Sequence, residues 1–268
     1  MKRAASHLAA LQGLLDRDIT VALVSEDLHA LEASEAVDGA RGRLEEHGYD
    51  ECGVRRGESV HEYVERTSLV TGTVGDHARP VPLDRVVAPS TPLWACMDRL
   101  AVKGSLYVLG DAGLEGIVTK FDFGKQPARL LMFGVVSMLE MTMLALARRY
   151  AGSTWQTCLT APRVESATRL HAERLRRGEE IDVMDCLQLG DKVTIFLKTE
   201  TLKPLLGESR SGIEALFSAL QQLRDNLAHA QSPAADGDWV GVIRTTQKGH
   251  RVLNGCVAAL LRESGGGS

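Results

Sequence analysis

An arginine and a histidine in the last quarter of the chain are the side chains best suited to chemistry on a phosphate. They are Arg224 and His229, and both lie in the run Leu220-Gln-Gln-Leu-Arg-Asp-Asn-Leu-Ala-His229. Cleavage of RNA through its own 2′-hydroxyl needs a base, and histidine titrates near neutral pH. It also needs positive charge beside the pentacoordinate phosphorane, and a guanidinium offers a fixed fork of N–H donors for phosphate oxygens.

The element that must position this pair is an amphipathic helix. From Ser211 onward, apolar residues recur at spacings of three and four, which predicts a helix that ends near His229. A separation of five residues turns two side chains about 140° apart on a regular helix. Arg224 and His229 therefore share a site more easily across a homodimer than within one chain. Alternatively, the two are a solvated helix end, where basic side chains interact favourably with the helix dipole.

Three further helices are predicted around this one. Pro127 opens a long apolar helix through Tyr150, a charged helix covers residues 163–177, and a last helix runs from about Val240 to Leu261. The segment from Asp191 to Lys198 fits either a strand or the start of a buried helix. The long helix is close to the lower limit for spanning a bilayer, but it contains Glu140, which favours a buried helix. That carboxylate either pairs with a buried arginine or lies near the Arg224 cleft.

The Arg-x-x-x-x-His pattern at the end of an amphipathic helix resembles the HEPN superfamily. The resemblance implies an all-helical domain that acts as a dimeric, metal-independent endoribonuclease, with no catalytic cofactor. It implies Arg224 and His229 as catalytic residues, with Asp225 and Asn226 at the polar positions between them. The expected products carry a 2′,3′-cyclic phosphate and a 5′-hydroxyl.

The first half of the chain contains an internal repeat with an offset of 54 residues. Residues 54–69 and 108–123 share one apolar pattern, a strand, a glycine-containing turn and a second strand, which predicts two hairpins. A helix-like run precedes each hairpin and ends at Gly48 or Gly104, the positions expected for helix C-caps. Each repeat is therefore a small α/β module.

The second repeat carries a possible ligand site. Its run from Tyr107 to Asp122 resembles the signature of cystathionine-β-synthase (CBS) domains, which occur as tandem pairs. The resemblance implies an adenosine-type regulatory nucleotide, with Thr119 near a phosphate and Asp122 accepting hydrogen bonds from ribose hydroxyls. A Thr-x-x-Asp sequence before a helix is also an ordinary capping arrangement. The first repeat departs from the signature, with residues Glu62, Glu65 and Ser68 at the positions that match Gly116, Thr119 and Asp122.

Composition limits the functions further. The chain has 31 lysines and arginines and 35 aspartates and glutamates, so it has no overall positive charge, and RNA could bind only in a local basic cleft. The five cysteines follow no zinc or disulfide pattern, which predicts reduced thiols and no metal site. The N-terminal run is too short for a secretory signal, so we expect a cytoplasmic protein without membrane association.

We therefore predict an α+β chain with a tandem CBS-like module over residues 1–125 and an all-α, HEPN-like bundle over 126–262. Residues 263–268, rich in glycine and serine, are predicted to be a flexible tail. The predicted function is a ligand-regulated endoribonuclease that acts as a homodimer in defence or stress. The short junction between Phe123 and Pro127 is the reason to expect coupling between the halves. Two alternatives remain: a non-catalytic nucleotide-binding regulator whose helices bind a partner, and a helical bundle that neutralises a toxin.

Overall fold

The computed structural model of the chain describes residues 2–265 and divides into two compact units. One unit is Asp16–Ala128, and the other contains the N-terminal residues up to Leu15 together with the chain from Arg129 onward. The division thus lies a few residues after the predicted boundary, and it places the N-terminal helix with the helical unit. Part of the predicted tail, residues 266–268, lies outside the described residues.

The α/β unit contains two four-stranded sheets. Its strands are β1 (Glu26–Asp27), β2 (Ala30–Glu32), β3 (Glu51–Arg56), β4 (Ser59–Glu65), β5 (Arg79–Pro80), β6 (Val86–Val87), β7 (Ser105–Leu109) and β8 (Leu114–Thr119). Its helices are α2 (Val37–Glu46), α3 (Val74–His77) and α4 (Leu93–Lys103). The sheet orders are β2-β3-β4-β5 and β1-β8-β7-β6, so β1, which precedes the first repeat, joins the sheet of the second.

Both predicted hairpins are present, and they match residue for residue at the 54-residue offset. Glu51 pairs opposite Glu65 in the first hairpin, and Ser105 pairs opposite Thr119 in the second. Each hairpin also has a register irregularity at the equivalent point, after Val54 and after Val108. Buried side chains from both repeats pack in one cluster between the sheets: Val60, Tyr63, Tyr107 and Leu114.

The helical unit contains α1 (Lys2–Arg17) and five later helices. These are α5 (Gln126–Tyr150), α6 (Ala161–Arg176), α7 (Leu189–Lys198), α8 (Arg210–Ala228) and α9 (Trp239–Gly265). The ambiguous segment from Asp191 is helical, and the Asp191 carboxylate accepts the backbone N–H of Gln188 at 3.0 Å in a capping box. The predicted α+β class, an α/β module followed by a helical region, is confirmed.

Helix α5 contacts helices α1, α7 and α8 in the helical unit. Among the described residues it is the one helix long and apolar enough to cross a membrane, with a mean hydropathy of 2.0 over its most apolar window. Within that window 56% of the residues are buried in the fold, as in the core helix of a globular domain. Leu15 of α1 packs on it at Gly134, where an added Cβ would lie 2.6 Å from a leucine methyl.

Candidate functional site

A cavity of about 960 Å³ opens in the α/β unit between equivalent segments of the two repeats. The turn before β3 and the turn before β7 both line it, as do the ends of β4 and β8. Thr119 and Asp122 lie on its wall, at the start of a short 3₁₀ helix, Lys120–Gly124. The structure therefore brings the two predicted ligand residues together at a cleft.

Thr119 and Asp122 form a complete capping box. The Oδ2 atom of Asp122 accepts the backbone N–H of Thr119 at 2.6 Å and its hydroxyl at 3.0 Å. The Thr119 Oγ1 atom in turn accepts the N–H of Phe121 at 3.2 Å. The capping role that the sequence left open is thus present, and it holds the buried Asp122 carboxylate rigidly at the cleft wall.

Lys125 neutralises that carboxylate. Its ammonium lies 2.8 Å from Asp122 Oδ1, contacts the Glu26 carboxylate and donates to the carbonyl of Val24 at 2.6 Å. Burial lowers the pKa of Lys125, but the hydrogen bonds to Asp122 and Glu26 outweigh burial and raise it. Lys125 is the single residue between the 3₁₀ helix of Asp122 and helix α5.

The equivalent positions in the first repeat are built differently. Glu65 lines the cleft where Thr119 stands in the second repeat, and its backbone carbonyl accepts the Ser68 hydroxyl at 2.7 Å. Glu62, which matches Gly116, forms an ion pair with Arg56 at 2.6 Å. At Gly116 the chain passes close to strand β1, since an added Cβ would lie 3.2 Å from the Glu26 carbonyl, a tight contact.

Arg85 joins the two repeats inside the cleft, and sequence reasoning missed it. Its guanidinium lies against the rings of both Tyr63 and Tyr107, 5.1 and 5.0 Å from their centroids, and the two rings also contact each other. It pairs with Glu51 at 2.6 Å and bonds Ser105, and these two residues are equivalent in the repeat. Burial lowers the pKa of Arg85, but Glu51 more than offsets this and raises it. The Nε atom is buried without a partner among the described residues.

The walls of the cleft carry more negative than positive charge. Six lining residues are acidic: Glu26, Asp27, Asp50, Glu51, Glu65 and Asp122. Three are basic: Arg85, Lys103 and Lys120. The cleft therefore lacks the excess of cations that a free polyphosphate needs.

In the helical unit, Arg224 lies near the end of α8 between two carboxylates. Its Nη1 atom is 3.2 Å from Glu140 of α5, and its Nε and Nη2 atoms are 3.2 and 3.0 Å from the same oxygen of Asp225. Burial lowers the pKa of Arg224, but the hydrogen bond to Asp225 and the charge of Glu140 outweigh it and raise the pKa. The guanidinium is thus held in one orientation and remains 30% exposed.

Glu140 also binds a buried lysine. Lys192 of α7 donates to Glu140 Oε1 at 2.8 Å, and the lysine side chain is only 5% exposed. One carboxylate therefore bridges a buried ammonium and the partly exposed Arg224. Glu140 pairs with Arg224 itself, which is partly exposed, so the contact combines the two roles considered for this carboxylate, an ion pair with an arginine and a place beside Arg224. No local signal in the sequence indicated Lys192 as a third member.

His229 is the C-cap residue of α8, and its side chain is exposed. Among the described residues the imidazole makes no hydrogen bond or ion pair, so it is not bonded to Arg224. Arg129 of α5 holds the backbone on both sides of His229, donating to Gln231 O at 2.8 Å and to Leu227 O at 3.4 Å. The turn after the histidine includes a left-handed, non-glycine residue, Ala230, with φ 56°.

The four predicted catalytic residues are therefore near one another in sequence but only partly in contact. Arg224 and Asp225 are bonded, His229 is exposed at the helix end, and Asn226 lines a separate cavity of about 440 Å³ that contains Asp236 and Asp238. Among residues 2–265, no cluster of His, Cys, Asp or Glu side chains has a metal-binding arrangement. All five cysteines are free, and each except Cys158 is buried.

Comparison with known proteins gave matches only among solved structures. No protein-family model and no curated protein matches the chain. CBSX2 in complex with AMP is similar over 38% of this chain and 91% of its own, with 26% identity and a TM-score of 0.35. The CBS domain of a bacterial CNNM/CorC family Mg²⁺ transporter with ATP is similar over 43% and 90%, with 17% identity and a TM-score of 0.35. A putative acetoin utilization protein (AcuB) from Vibrio cholerae is similar over 42% and 92%, with 17% identity and a TM-score of 0.37.

CBSX2 is a CBS-pair protein and the transporter fragment is a CBS domain, the family that the second repeat resembles in sequence.

Proposed function

We propose that the α/β unit is a sensor that binds an adenosine-type nucleotide in the cleft between its repeats. The observation that carries this proposal is the rigid, buried carboxylate of Asp122 beside Thr119 on the wall of a 960 Å³ cavity. A carboxylate has about four acceptor sites, and the capping box and Lys125 leave capacity for a ribose hydroxyl. In this proposal the Thr119 side chain lies near the phosphate.

The acidic lining specifies the ligand more closely. A nucleoside monophosphate brings little negative charge into a cleft with six carboxylates and three basic side chains. A triphosphate brings more, so it should bind only together with a divalent cation that offsets the repulsion. We therefore expect AMP to bind more tightly than metal-free ATP.

Isothermal titration calorimetry of the full chain tests this sensor. AMP and ATP are titrated with and without Mg²⁺ into wild type, Asp122→Asn and Glu45→Gln, the last an exposed carboxylate on α2 outside the cleft. The asparagine can still accept the N–H of Thr119, so the fold is retained while binding to AMP weakens at least tenfold. Equal affinities in all three proteins, or no heat with any nucleotide, would refute the sensor.

We further propose that the helical unit is a metal-independent endoribonuclease that acts as a homodimer in a defence or stress response. The supporting observation is the arrangement at the end of α8, where Glu140 fixes a partly exposed Arg224 and Arg129 fixes the backbone around an exposed His229. His229 takes the proton of the 2′-hydroxyl, whose oxygen attacks the phosphorus, and Arg224 stabilises the charge that develops on the phosphorane. The bond from phosphorus to the 5′-oxygen then breaks, and that oxygen takes up a proton, which leaves a 2′,3′-cyclic phosphate and a 5′-hydroxyl. A second chain supplies the facing Arg224 and His229.

The ribonuclease is tested with total RNA in EDTA, followed by detection of fragments that end in cyclic phosphate. We expect cleavage by wild type, a loss of at least a hundredfold in Arg224→Ala and His229→Ala, and full activity in His7→Ala, an exposed histidine on α1. Light scattering of the same samples measures the proposed dimer. Cleavage that survives in the first two variants would overturn the catalytic assignment.

The alternative function is a non-catalytic nucleotide-binding regulator whose helices bind a partner. One observation favours it: Glu140 and Asp225 together balance the charges of Arg224 and Lys192, so the site carries no net positive charge for RNA. Nucleotide binding without any RNA cleavage is the result that distinguishes this alternative from the ribonuclease.

A further inference from the structure

A basic groove lies between α7 and α8 in the helical unit. Its volume is about 380 Å³, and Lys198, Lys203 and Arg210 line it together with a single carboxylate, Glu214. The whole chain has a net charge of −4, so the positive potential of this groove is local and does not come from the overall charge. The cavity at Asn226 has the opposite character, with two aspartates and no basic side chain in its lining.

Two of the three cations are available to a ligand. Lys198 and Lys203 are exposed, and neither forms an ion pair within the described part of the chain. Arg210 is paired with Glu214, its Nε atom 3.0 Å from the carboxylate, and this exposed contact is weak enough to exchange. The two lysine ammonium groups are therefore the main source of positive potential in the groove.

The groove continues along α8 toward Arg224. Gln221 lines it, and on a helix the residues three and four positions later, Arg224 and Asp225, are its neighbours on the surface. Ser218 adds a hydroxyl group to the lining, whereas the Thr194 hydroxyl there donates to the carbonyl of Gly190 at 2.8 Å. Its aromatic residue, Phe217, is buried, so the groove offers no exposed ring on which a base could stack.

We propose that this groove binds the sugar–phosphate backbone of single-stranded RNA and leads it to Arg224. The inference deepens the proposed ribonuclease and rests on it for its role in cleavage. Because the groove presents ammonium and hydroxyl groups and no stacking platform, it contacts phosphates and does not select a sequence.

Fluorescence anisotropy with a labelled, mixed-sequence, single-stranded RNA tests the groove. The background is His229→Ala, which prevents cleavage, and the test variant is Lys198→Gln with Lys203→Gln. The control is Arg244→Gln with Lys248→Gln on α9, two exposed cations that lie outside the groove and are neutralised to the same extent. Each phosphate contact on a single strand contributes about 0.7 to the slope of log K against log salt.

The test variant loses two such contacts, so the magnitude of its slope should be smaller by about 1.4. A fourfold rise in salt should then weaken wild-type binding about sevenfold more than it weakens variant binding. The control should keep the wild-type slope. The groove proposal is overturned if the test variant keeps the slope, if the control loses as much, or if no RNA binds at low salt. If the test variant shows the smaller slope but the wild-type chain does not cleave RNA, the groove proposal stands and the ribonuclease proposal is wrong.

Discussion

The ion pair of Glu140 and Lys192 gives the sharpest test of how the candidate site is built. Replacing Glu140 by leucine leaves the buried Lys192 ammonium without a partner, and breaking one half of a buried pair costs about 3–5 kcal/mol. Glu140 is 21% exposed, so we expect a cost near 3 kcal/mol. Lys192→Met removes the buried cation and leaves Glu140 paired with Arg224, so its cost should be about 1 kcal/mol.

The double variant Glu140→Leu/Lys192→Met is decisive, because an apolar pair of similar volume often replaces a buried ion pair at little cost. It should unfold within about 1 kcal/mol of wild type, which gives a coupling free energy of about 3 kcal/mol in the double-mutant cycle. Urea unfolding followed by circular dichroism measures the four proteins, with Glu165→Leu on the exposed face of α6 as control. Strictly additive effects, or a Glu140→Leu cost no larger than that of Glu165→Leu, would refute the reasoning.

Four other predictions test local features. Gly113 has φ 140°, and an added Cβ would lie 2.7 Å from a backbone carbonyl of β4. Gly113→Ala should therefore lower the free energy of unfolding by more than about 1 kcal/mol. Gly190→Ala is the control and should not lower it, because the space around Gly190 is open. Ala230→Gly should raise the free energy of unfolding by about 1 kcal/mol, because glycine adopts φ 56° without strain; a decrease would contradict this. Ellman's reagent should label Cys158 faster than the four buried cysteines, two of which have a pKa raised to about 12 by burial, and Cys158→Ser should abolish the fast phase. Burial, together with the charge of a neighbouring histidine, lowers the pKa of His29 from 6.5, so protonation of His29 favours the unfolded state. The free energy of unfolding should therefore fall as the pH drops below 6.5, and His29→Asn should make it depend less on pH.

The elements of the fold were predictable where periodicity was long or duplicated. The apolar spacing of α8 and the 54-residue repeat each gave several independent observations, and the structure contains the helix and both hairpins. The segment that begins at Asp191 was ambiguous because a ten-residue apolar helix is too short to show its period. Its capping box with Gln188 was the local signal that distinguishes helix from strand.

The candidate sites were less predictable, because their key contacts are distant in sequence. Glu140 meets Lys192 and Arg224 across separations of 52 and 84 residues, and Arg129 reaches the turn around His229 across 98 to 102. No spacing rule connects such positions, since they depend on how helices pack. The Thr119–Asp122 box, by contrast, is local, and the sequence could indicate it.

In the proposed ribonuclease, the contact of Asp225 with Arg224 would make phosphate binding an exchange of one anion for another. The Nε and Nη2 groups of the Arg224 guanidinium already donate to one oxygen of Asp225. This Nε–Nη2 edge is the part of a guanidinium that binds a phosphate through two parallel hydrogen bonds. Asp225 thus occupies the edge of the guanidinium that a phosphate would use, and in the proposed ribonuclease an RNA strand would have to displace it. The affinity of the resting site for phosphate is then a difference between two similar interactions, so small changes in the position of one carboxylate can open or close it.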